Sequence, residues 1–359
     1  MDREHTQKAR NIWLLCVISS IVLAVLMAAT IPAIWFMGYA TEYWHFLVIG
    51  LFVGLAGGSF SVGTPYVARW FPKQRQGMAM GVYGAGNSGA AVNKFVAPVI
   101  LVAFGWAVVP HVYAAIMLGT LVLFWLFSHS DPAHLVPSNV SFTAQLKALK
   151  DPRVLKYCQY YSIVFGGYVA LSLWMVQYYV GEYGLDIRVA ALLAACFSLP
   201  GGVLRAMGGW ISDRYGAYKT TWWVMWVCWV AFFILSYPQT HFTVMTTGGP
   251  RQFDIALGPT SFTILLFIVG IAMAIGKASV FKFISDEFGE NIGAVSGIVG
   301  LAGGLGGFVL PIMFGILLDL TGIRSSAFML LYGTVCVSLI FMHFSFRPES
   351  AAIARQQAA

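Results

Sequence analysis

The sequence predicts an all-α membrane protein, and three observations carry this prediction. Apolar residues make up 59% of the 359 positions and charged residues only 10%, whereas a soluble domain carries roughly 25% charged residues. Stretches of about 20 mostly apolar residues, long enough to cross the hydrocarbon layer as a helix, recur along the whole chain. Basic residues concentrate in alternate connections between these stretches, as they do in proteins that cross a membrane repeatedly.

Ten apolar stretches predict ten transmembrane helices. Their predicted spans are 12–36, 46–68, 78–102, 110–128, 157–181, 189–210, 219–237, 261–283, 291–318 and 325–346. Four spans precede a polar stretch and six follow it. This pattern predicts an N-terminal half at 1–128, a cytoplasmic linker at 129–156 with a short interfacial helix at 141–149, a C-terminal half at 157–346, and a cytoplasmic tail at 347–359.

The 21 Lys and Arg residues predict the orientation of the chain. Short cytoplasmic loops retain basic residues, and the connections around Arg75, Lys150 and Arg214 are far richer in them than those around Arg188 and Arg251. We therefore expect a multi-pass protein of the inner (cytoplasmic) membrane with both termini in the cytoplasm. The net charge of +7 follows from this loop bias, so we expect no nucleic-acid partner.

Sequence features typical of cofactor binding or catalysis are incomplete. The five cysteines stand singly, without the close pairing of a metal site or disulfide framework. The glycine spacing at 84–89 fits a dinucleotide fingerprint, but the strand before it and the acidic residue after it are missing, and small residues at this spacing also serve helix packing. We therefore expect no metal, no cofactor and no enzymatic activity.

Two glycine-rich segments, one in each predicted half, indicate an internal repeat. The segment at 84–90 recurs at 301–307. The polar segment that begins at Asp213 likewise matches the one that begins at Asp2, but two predicted helices precede the former within its half and none precedes the latter. The repeat therefore predicts a twelve-helix plan of which this chain lacks the first two helices.

Arg205 and Asn87 are polar residues within predicted spans, and helix packing alone does not explain them. Arg205 lies about 7 Å from the end of its predicted helix, so one alternative is that its side chain reaches the membrane surface. The other is a planar anionic ligand, because no carboxylate is predicted at its depth and a guanidinium donates to two oxygens at once. The Asn87 amide either bonds another helix or contacts a ligand.

Two lysines and three aromatic residues complete the set of candidates. Lys94 and Lys277 lie inside predicted spans, either as coupling groups or as long side chains that reach the interface. Phe60 precedes a helix irregularity, while Tyr161 and Phe165 are one turn apart on one helix face. Aromatic walls suit a flat, weakly hydrated anion, and a tyrosine hydroxyl can donate a hydrogen bond to it.

Four segments of the sequence resemble signature segments of the nitrate/nitrite porter family, and the likeness extends over nearly the whole chain. They are Gly57-Gly58-Ser59-Phe60, Trp70-Phe71-Pro72, Gly84-Ala85-Gly86-Asn87 and Gly300-Leu301-Ala302-Gly303-Gly304-Leu305-Gly306-Gly307. The glycine-rich segments are similar to the family's paired motifs, so we expect Gly84, Gly303 and Gly304 to line the substrate site. The segment at 276–282 is similar to the branch associated with nitrate and proton symport.

The resemblance implies a major facilitator fold of two six-helix bundles, of which this chain would hold four plus six helices. Arg205 resembles the family's substrate arginine on its eighth helix, and Asn87 resembles its fifth-helix amide. Phe60, Tyr161 and Phe165 match aromatic positions around the family's anion. The family's second arginine lies on its second helix, so we expect this chain to lack it unless a separate polypeptide supplies the missing helices.

The function implied by the resemblance is transport of nitrate and nitrite across the lipid bilayer by alternating access. Nitrate import with protons and nitrate/nitrite exchange are both compatible with it. Two alternatives stay open: a truncated or regulatory membrane protein that does not transport, and a facilitator of another small anion.

Overall fold

The computed structural model describes residues 21–128, 150–288 and 292–357. The helices of the first range are α1 Ile21–Met37, α2 Tyr43–Gly54, α3 Gly58–Trp70, α4 Gln76–Gly84, α5 Gly89–Phe104 and α6 Val108–Phe127. Short 3-10 turns at Leu55–Gly57 and Ala85–Ser88 join α2 to α3 and α4 to α5. Each joined pair is therefore one apolar span that changes its helical pitch at a glycine-rich turn.

Eight helices follow in the rest of the described chain. They are α7 Pro152–Tyr161, α8 Tyr168–Tyr183, α9 Ile187–Val203, α10 Arg205–Tyr215, α11 Ala217–Leu235, α12 Pro259–Glu287, α13 Ile292–Thr321 and α14 Ser326–Gln357. A π-helical turn at Ser162–Gly167 joins α7 to α8. Helices α9 and α10 meet at a bend of 45°.

The described residues contain eight helices long and apolar enough to cross a membrane, or nine if the bent pair α9–α10 is one span. The predicted count of ten is therefore not confirmed. The predicted span at 12–36 is described only from residue 21 onward, as the shorter apolar helix α1. The interfacial helix predicted at 141–149 lies outside the described residues. The remaining nine predicted spans each correspond to a helix, a joined pair or the bent pair.

One β-hairpin interrupts the helices, and the sequence analysis did not predict it. Strands β1 Thr240–Thr246 and β2 Gly249–Ile255 pair antiparallel between α11 and α12. The β1 segment is rich in β-branched and aromatic residues, a composition that favours strands. Gly249 closes the turn with a φ of 103°, a conformation that favours glycine. The predicted all-α class holds, with this exposed hairpin as an addition to it.

The core lies among the helices after residue 150. In the apolar window of α12, 67% of the residues are buried, against 6% for the window that spans α2 and α3. Tyr178 of α8 stacks on Phe262 of α12 with ring centroids 4.7 Å apart, and Phe328 of α14 meets both rings edge-on. The second group of helices therefore holds most of the side-chain packing.

Glycines set the closest approaches between these helices. A Cβ atom at Gly208 of α10 would overlap the Cα of Ile275 on α12, and one at Gly270 would lie 2.5 Å from the carbonyl oxygen of Phe197 on α9. Backbone atoms cannot move aside as a flexible side chain can. Small residues at such crossings let membrane helices pack backbone to backbone, which brings α9, α10 and α12 together.

The substitution Gly208→Val tests this packing. We expect it to lower the free energy of unfolding by about 1–3 kcal/mol, because the added methyl groups force α10 away from α12. The measurement is the midpoint of thermal unfolding of purified protein in detergent. Gly315→Val is the matched control, since a Cβ atom at Gly315 has nothing within 4 Å. Equal midpoints for both variants would contradict the proposed packing.

Candidate functional site

Arg205 is the first residue of α10 and lies at the bend after α9. Pro200 stands inside α9 with Gly201 and Gly202 directly after it, and proline or glycine within a helix is a usual cause of such a bend. The Arg205 side chain is 1% exposed. It therefore does not reach the surface, and the alternative of a surface-reaching arginine is excluded.

Aromatic rings enclose the Arg205 guanidinium. Its Cζ atom lies 5.0 Å from the ring centroid of Phe60 and 5.6 Å from that of Phe281, distances at which a cation is attracted to a ring face. Nη2 lies 3.4 Å from the Tyr161 hydroxyl oxygen, a long hydrogen bond. The rings shield the guanidinium from solvent, but a ring face accepts no ordinary hydrogen bond, so N–H donors of Arg205 stay unused.

Two of the guanidinium nitrogens, Nε and Nη1, are buried without a hydrogen-bond partner among the described residues. The same is true of the Asn87 amide nitrogen Nδ2. None of the ion pairs within the described ranges includes Arg205. Buried polar groups normally have partners, and a buried charge without one costs several kcal/mol. These donors can therefore bind an acceptor that the described residues do not provide.

Tyr161 and Phe165 form one wall of this site. Their rings stack in parallel, with centroids 5.0 Å apart and an interplanar angle of 4°. The π-helical turn begins directly after Tyr161 and contains Phe165, and such turns are frequent at functional sites. Phe281 meets the Tyr161 ring edge-on at 5.0 Å and the Phe60 ring edge-on at 5.1 Å. The rings from three helices and the π-helical turn thus form one continuous aromatic surface.

Gly84 and Gly303 lie directly against this site, whereas Gly304 does not. A Cβ atom at Gly84 would overlap the Arg205 guanidinium, and one at Gly303 would lie 2.5 Å from the Tyr161 ring. A Cβ atom at Gly304 would meet nothing within 4 Å. Neighbouring residues on a helix point about 100° apart, so only Gly303 can face the rings. Gly304 therefore does not contact these rings, and its place in the substrate site stays a prediction.

Lys277 lies deep in the protein beside the turn that precedes Arg205. It is fully buried, and its Nζ atom donates to the Gly201 carbonyl oxygen at 2.6 Å. The same atom lies 3.3 Å from the centroid of the Tyr168 ring. Among the described residues, no ion pair includes Lys277. The alternative of a lysine that extends to the interface does not apply to this residue.

Lys94 lies farther from Arg205 and has different partners. Its Nζ atom donates to the hydroxyl oxygens of Ser172 and Ser198 at 3.3 Å and 3.1 Å. The side chain is partly buried. Lys94 therefore links α5 to α8 and α9 through neutral hydroxyl groups.

A second polar cluster joins the two groups of helices at the far end of α10. The Asp213 carboxylate accepts hydrogen bonds from the backbone N–H groups of Gly77 and Met78 at 3.0 Å and 2.8 Å. Lys282 contacts the same carboxylate at 3.2 Å and donates to the Lys73 carbonyl oxygen at 2.7 Å. The acid lies at the N-terminus of α4, where the helix dipole favours a negative charge.

Sequence reasoning did not single out Phe281, Asp213 or Lys282 as site residues. Phe281 lies one helical turn after Lys277, so the sequence alone indicates that the two residues share a helix face. The Asp-Arg pair at 213–214, which repeats at 2–3, was a signal for the polar cluster. A groove of about 390 Å³ between α11 and α12 is lined mainly by apolar side chains, including Trp223 and Ile268, and none of the candidate site residues lines it.

The sequence and the fold are similar to those of known transport proteins. Residues 9–248 match the Major Facilitator Superfamily. The chain is 37% identical over 334 residues to the probable nitrate/nitrite antiporter NarK1 of Thermus thermophilus, an alignment that covers 89% of this chain and 75% of that protein. It is 31% identical over 324 residues to the probable nitrate transporter NarT of Staphylococcus haemolyticus, covering 89% and 77% of the two chains.

A solved structure agrees with this match at the level of the fold. The crystal structure of the E. coli fucose:proton symporter FucP superposes with a TM-score of 0.67 at 18% identity, covering 91% of this chain and 83% of that one. The family match extends over more than half of the sequence, and the helical membrane fold agrees with it. The chain therefore belongs to the major facilitator superfamily.

Proposed function

We propose that this protein transports nitrate and nitrite across the membrane by alternating access, with Arg205 as the residue that binds the anion. One observation carries the proposal: the Arg205 guanidinium is 1% exposed, and its Nε and Nη1 atoms have no partner among the described residues. The relatives named for nitrate and nitrite support the choice of anion.

The chemistry of the site suits a small planar oxyanion. A guanidinium donates along two parallel directions, so it can engage two oxygens of one nitrate ion. The unpaired Asn87 Nδ2 offers a further donor, and the Tyr161 hydroxyl, which lies 3.4 Å from Arg205 Nη2, offers another. The faces of Phe60 and Phe281 suit a weakly hydrated ion, because little hydration is lost when it enters the site. A single negative charge also neutralises the buried guanidinium.

Transport requires that the site open to each side in turn, and we assign that motion to the two groups of helices. The N-terminal half at 1–128 and the C-terminal half at 157–346 would rock about the site. The Asp213 contact to Gly77 and Met78 would then be the closure at one end. The basic residues near it, including Lys73 and Arg214, support a cytoplasmic location for that end, with both termini cytoplasmic in an inner membrane.

Nitrate import needs an energy source, because an anion entering an inside-negative cell works against about 2.3 kcal/mol per 100 mV. Exchange with nitrite cancels the charge movement, and symport with protons draws on the proton gradient. Lys277 is our candidate for coupling to protons, since it is fully buried beside Arg205's helix and its Nζ atom bonds a backbone carbonyl oxygen rather than a carboxylate. Both modes use the same anion site.

The substitution Arg205→Lys tests the anion site. We expect nitrate affinity to fall by about 10-fold to 100-fold, because an ammonium group keeps the charge but loses the paired donors, and a hydrogen bond to a charged group contributes about 1.5–3 kcal/mol. The measurement is nitrate and nitrite flux into proteoliposomes, with and without a pH gradient. Arg188→Lys, at the exposed start of α9, is the matched control. Unchanged flux for Arg205→Lys would overturn the assignment.

The substitution Gly84→Ala tests the position of the guanidinium without removing it. The new methyl group would occupy the space of the Arg205 Nε atom, so we expect the guanidinium to shift and nitrate affinity to fall roughly tenfold, about 1.4 kcal/mol. Thermal stability should change little, because a flexible side chain can move. The matched control is Gly86→Ala, where a Cβ atom has nothing within 4 Å. The proposal fails if both variants bind nitrate equally well.

The substitution Asp213→Asn tests the closure. It removes the negative charge from the N-terminus of α4 and from Lys282, so we expect the closed state to lose population several-fold. Pulsed electron paramagnetic resonance between spin labels at Lys73→Cys and Arg214→Cys, in a background without native cysteines, measures the opening. Asp254→Asn, in the exposed hairpin, is the control. An unchanged distance distribution for Asp213→Asn would show that this contact does not hold the end closed.

A further inference from the structure

Lys94 and its partner Ser198 belong to different helices, and both lie on the same side of the anion site. In the 3-10 turn and helix α5 that follows it, Lys94 comes about two turns after Asn87. On α9, its partner Ser198 comes about two turns before Arg205. At 1.5 Å per residue, each separation is roughly 10 Å. Asp213 lies beyond Arg205 in the opposite direction along α10. The Lys94 cluster and the Asp213 closure are therefore on opposite sides of the anion site.

The groups around the Lys94 ammonium are hydroxyls from the other group of helices. Ser198 is fully buried and Ser172 is 8% exposed. Their Oγ atoms lie 3.1 Å and 3.3 Å from Nζ. No ion pair within the described residues includes Lys94. An ammonium group carries three donors, and two of them are used here on neutral acceptors, which an anion would replace favourably.

The cluster also continues toward Lys277 and from there to the anion site. The Tyr168 hydroxyl donates to the Ser198 carbonyl oxygen at 2.6 Å, and the ring of the same tyrosine lies 3.3 Å from Lys277 Nζ. Lys277 in turn bonds Gly201, one turn before Arg205 on the chain. Three basic side chains, Lys94, Lys277 and Arg205, are thus linked in series through Ser198, Tyr168 and Gly201. A row of one sign of charge in a low-dielectric setting attracts and guides a counter-ion.

We propose that Lys94, Ser172 and Ser198 form a second anion site, which small monovalent oxyanions occupy on their way between the end opposite Asp213 and Arg205. This proposal rests on the proposed function, because it assigns an entry position to the same substrate. In the present conformation the Asp213 contact, which we assign as the closure of that end, is formed. The Lys94 site is therefore on the side from which an anion reaches Arg205, and Lys94 bonds the serines when that position holds no anion.

The test uses the full chain in proteoliposomes, with nitrate as the probe and with uptake measured separately from each face. We expect Lys94→Gln to raise the KM for nitrate about fivefold to tenfold at low ionic strength when nitrate enters from the face opposite Asp213. The KM from the Asp213 face should change less than twofold. Added sodium gluconate should reduce the difference from the unmodified protein, because screening weakens attraction by an exposed charge. Lys94→Arg should retain a low KM.

A second measurement separates an anion site from a mere link between helices. In the Arg205→Lys protein, weak binding of ¹⁵N-nitrate, measured by relaxation of its NMR signal, should persist and should disappear when Lys94→Gln is added. Ser172→Ala is a milder variant that keeps the charge, and it should weaken this binding several-fold. Lys219→Gln, on α11 outside the cluster, serves as the control.

The outcomes are distinguishable from failure of the proposed function. If the unmodified protein carries no nitrate, the proposed function fails before Lys94 is considered. If it transports nitrate and Lys94→Gln changes the KM equally from both faces, Lys94 acts only as a link between helices and the second site is refuted. Residual ¹⁵N-nitrate binding that is unaffected by Lys94→Gln would refute it as well.

Discussion

The rest of this structure depends on a guanidinium that is enclosed without a counter-charge among the described residues. Removing a cation from water costs several kcal/mol unless partners replace the lost hydration. Within the part of the chain that the structure describes, Arg205 has a long bond to Tyr161 and the faces of two rings. The surrounding features are consistent with this one demand. Gly84 leaves room for the guanidinium, and the bend between α9 and α10 lets Arg205 begin a new helix inside the protein. An anion completes the arrangement.

The packing within the second group of helices differs from the contact between the two groups. The helices after residue 150 pack tightly through glycines such as Gly208 and Gly270, so the shape of the second group is fixed. The first group meets it through close glycine packing of α4 against α10, where a Cβ atom at Gly209 would overlap the Gly77 backbone. Polar links add to this packing, including the Asp213 carboxylate at the start of α4 and the Lys94 ammonium near the serines. Charges and backbone donors can separate and meet again, and flat glycine surfaces carry no side chains that interlock. A cycle that opens one end at a time needs contacts of this kind.

Sequence reasoning predicted Arg205 and three of the aromatic residues near it, but not Phe281. Arg205, Asn87, Tyr161 and Phe165 were predicted because a polar or paired aromatic residue within an apolar span is visible in the order of residues alone. Phe281 was missed although it lies one turn after Lys277, because that spacing does not show that α12 crosses α7 and brings Phe281 to the Tyr161 ring. The motif could not separate Gly303, which contacts the rings, from Gly304, which does not, because it shows which residues are small but not which of them faces the rings. The hairpin was missed because the sequence analysis used the apolar stretches that form helices and did not consider the connections between them.

The most direct test of the central claim is an experimental structure of the protein determined with nitrate. The account predicts one planar density beside Arg205, with oxygens within hydrogen-bond distance of Nε and Nη1 and with the Asn87 amide nitrogen directed toward it. A nitrate bound elsewhere while these nitrogens remain unoccupied would contradict the account, as would a carboxylate of the protein paired with Arg205 in that structure.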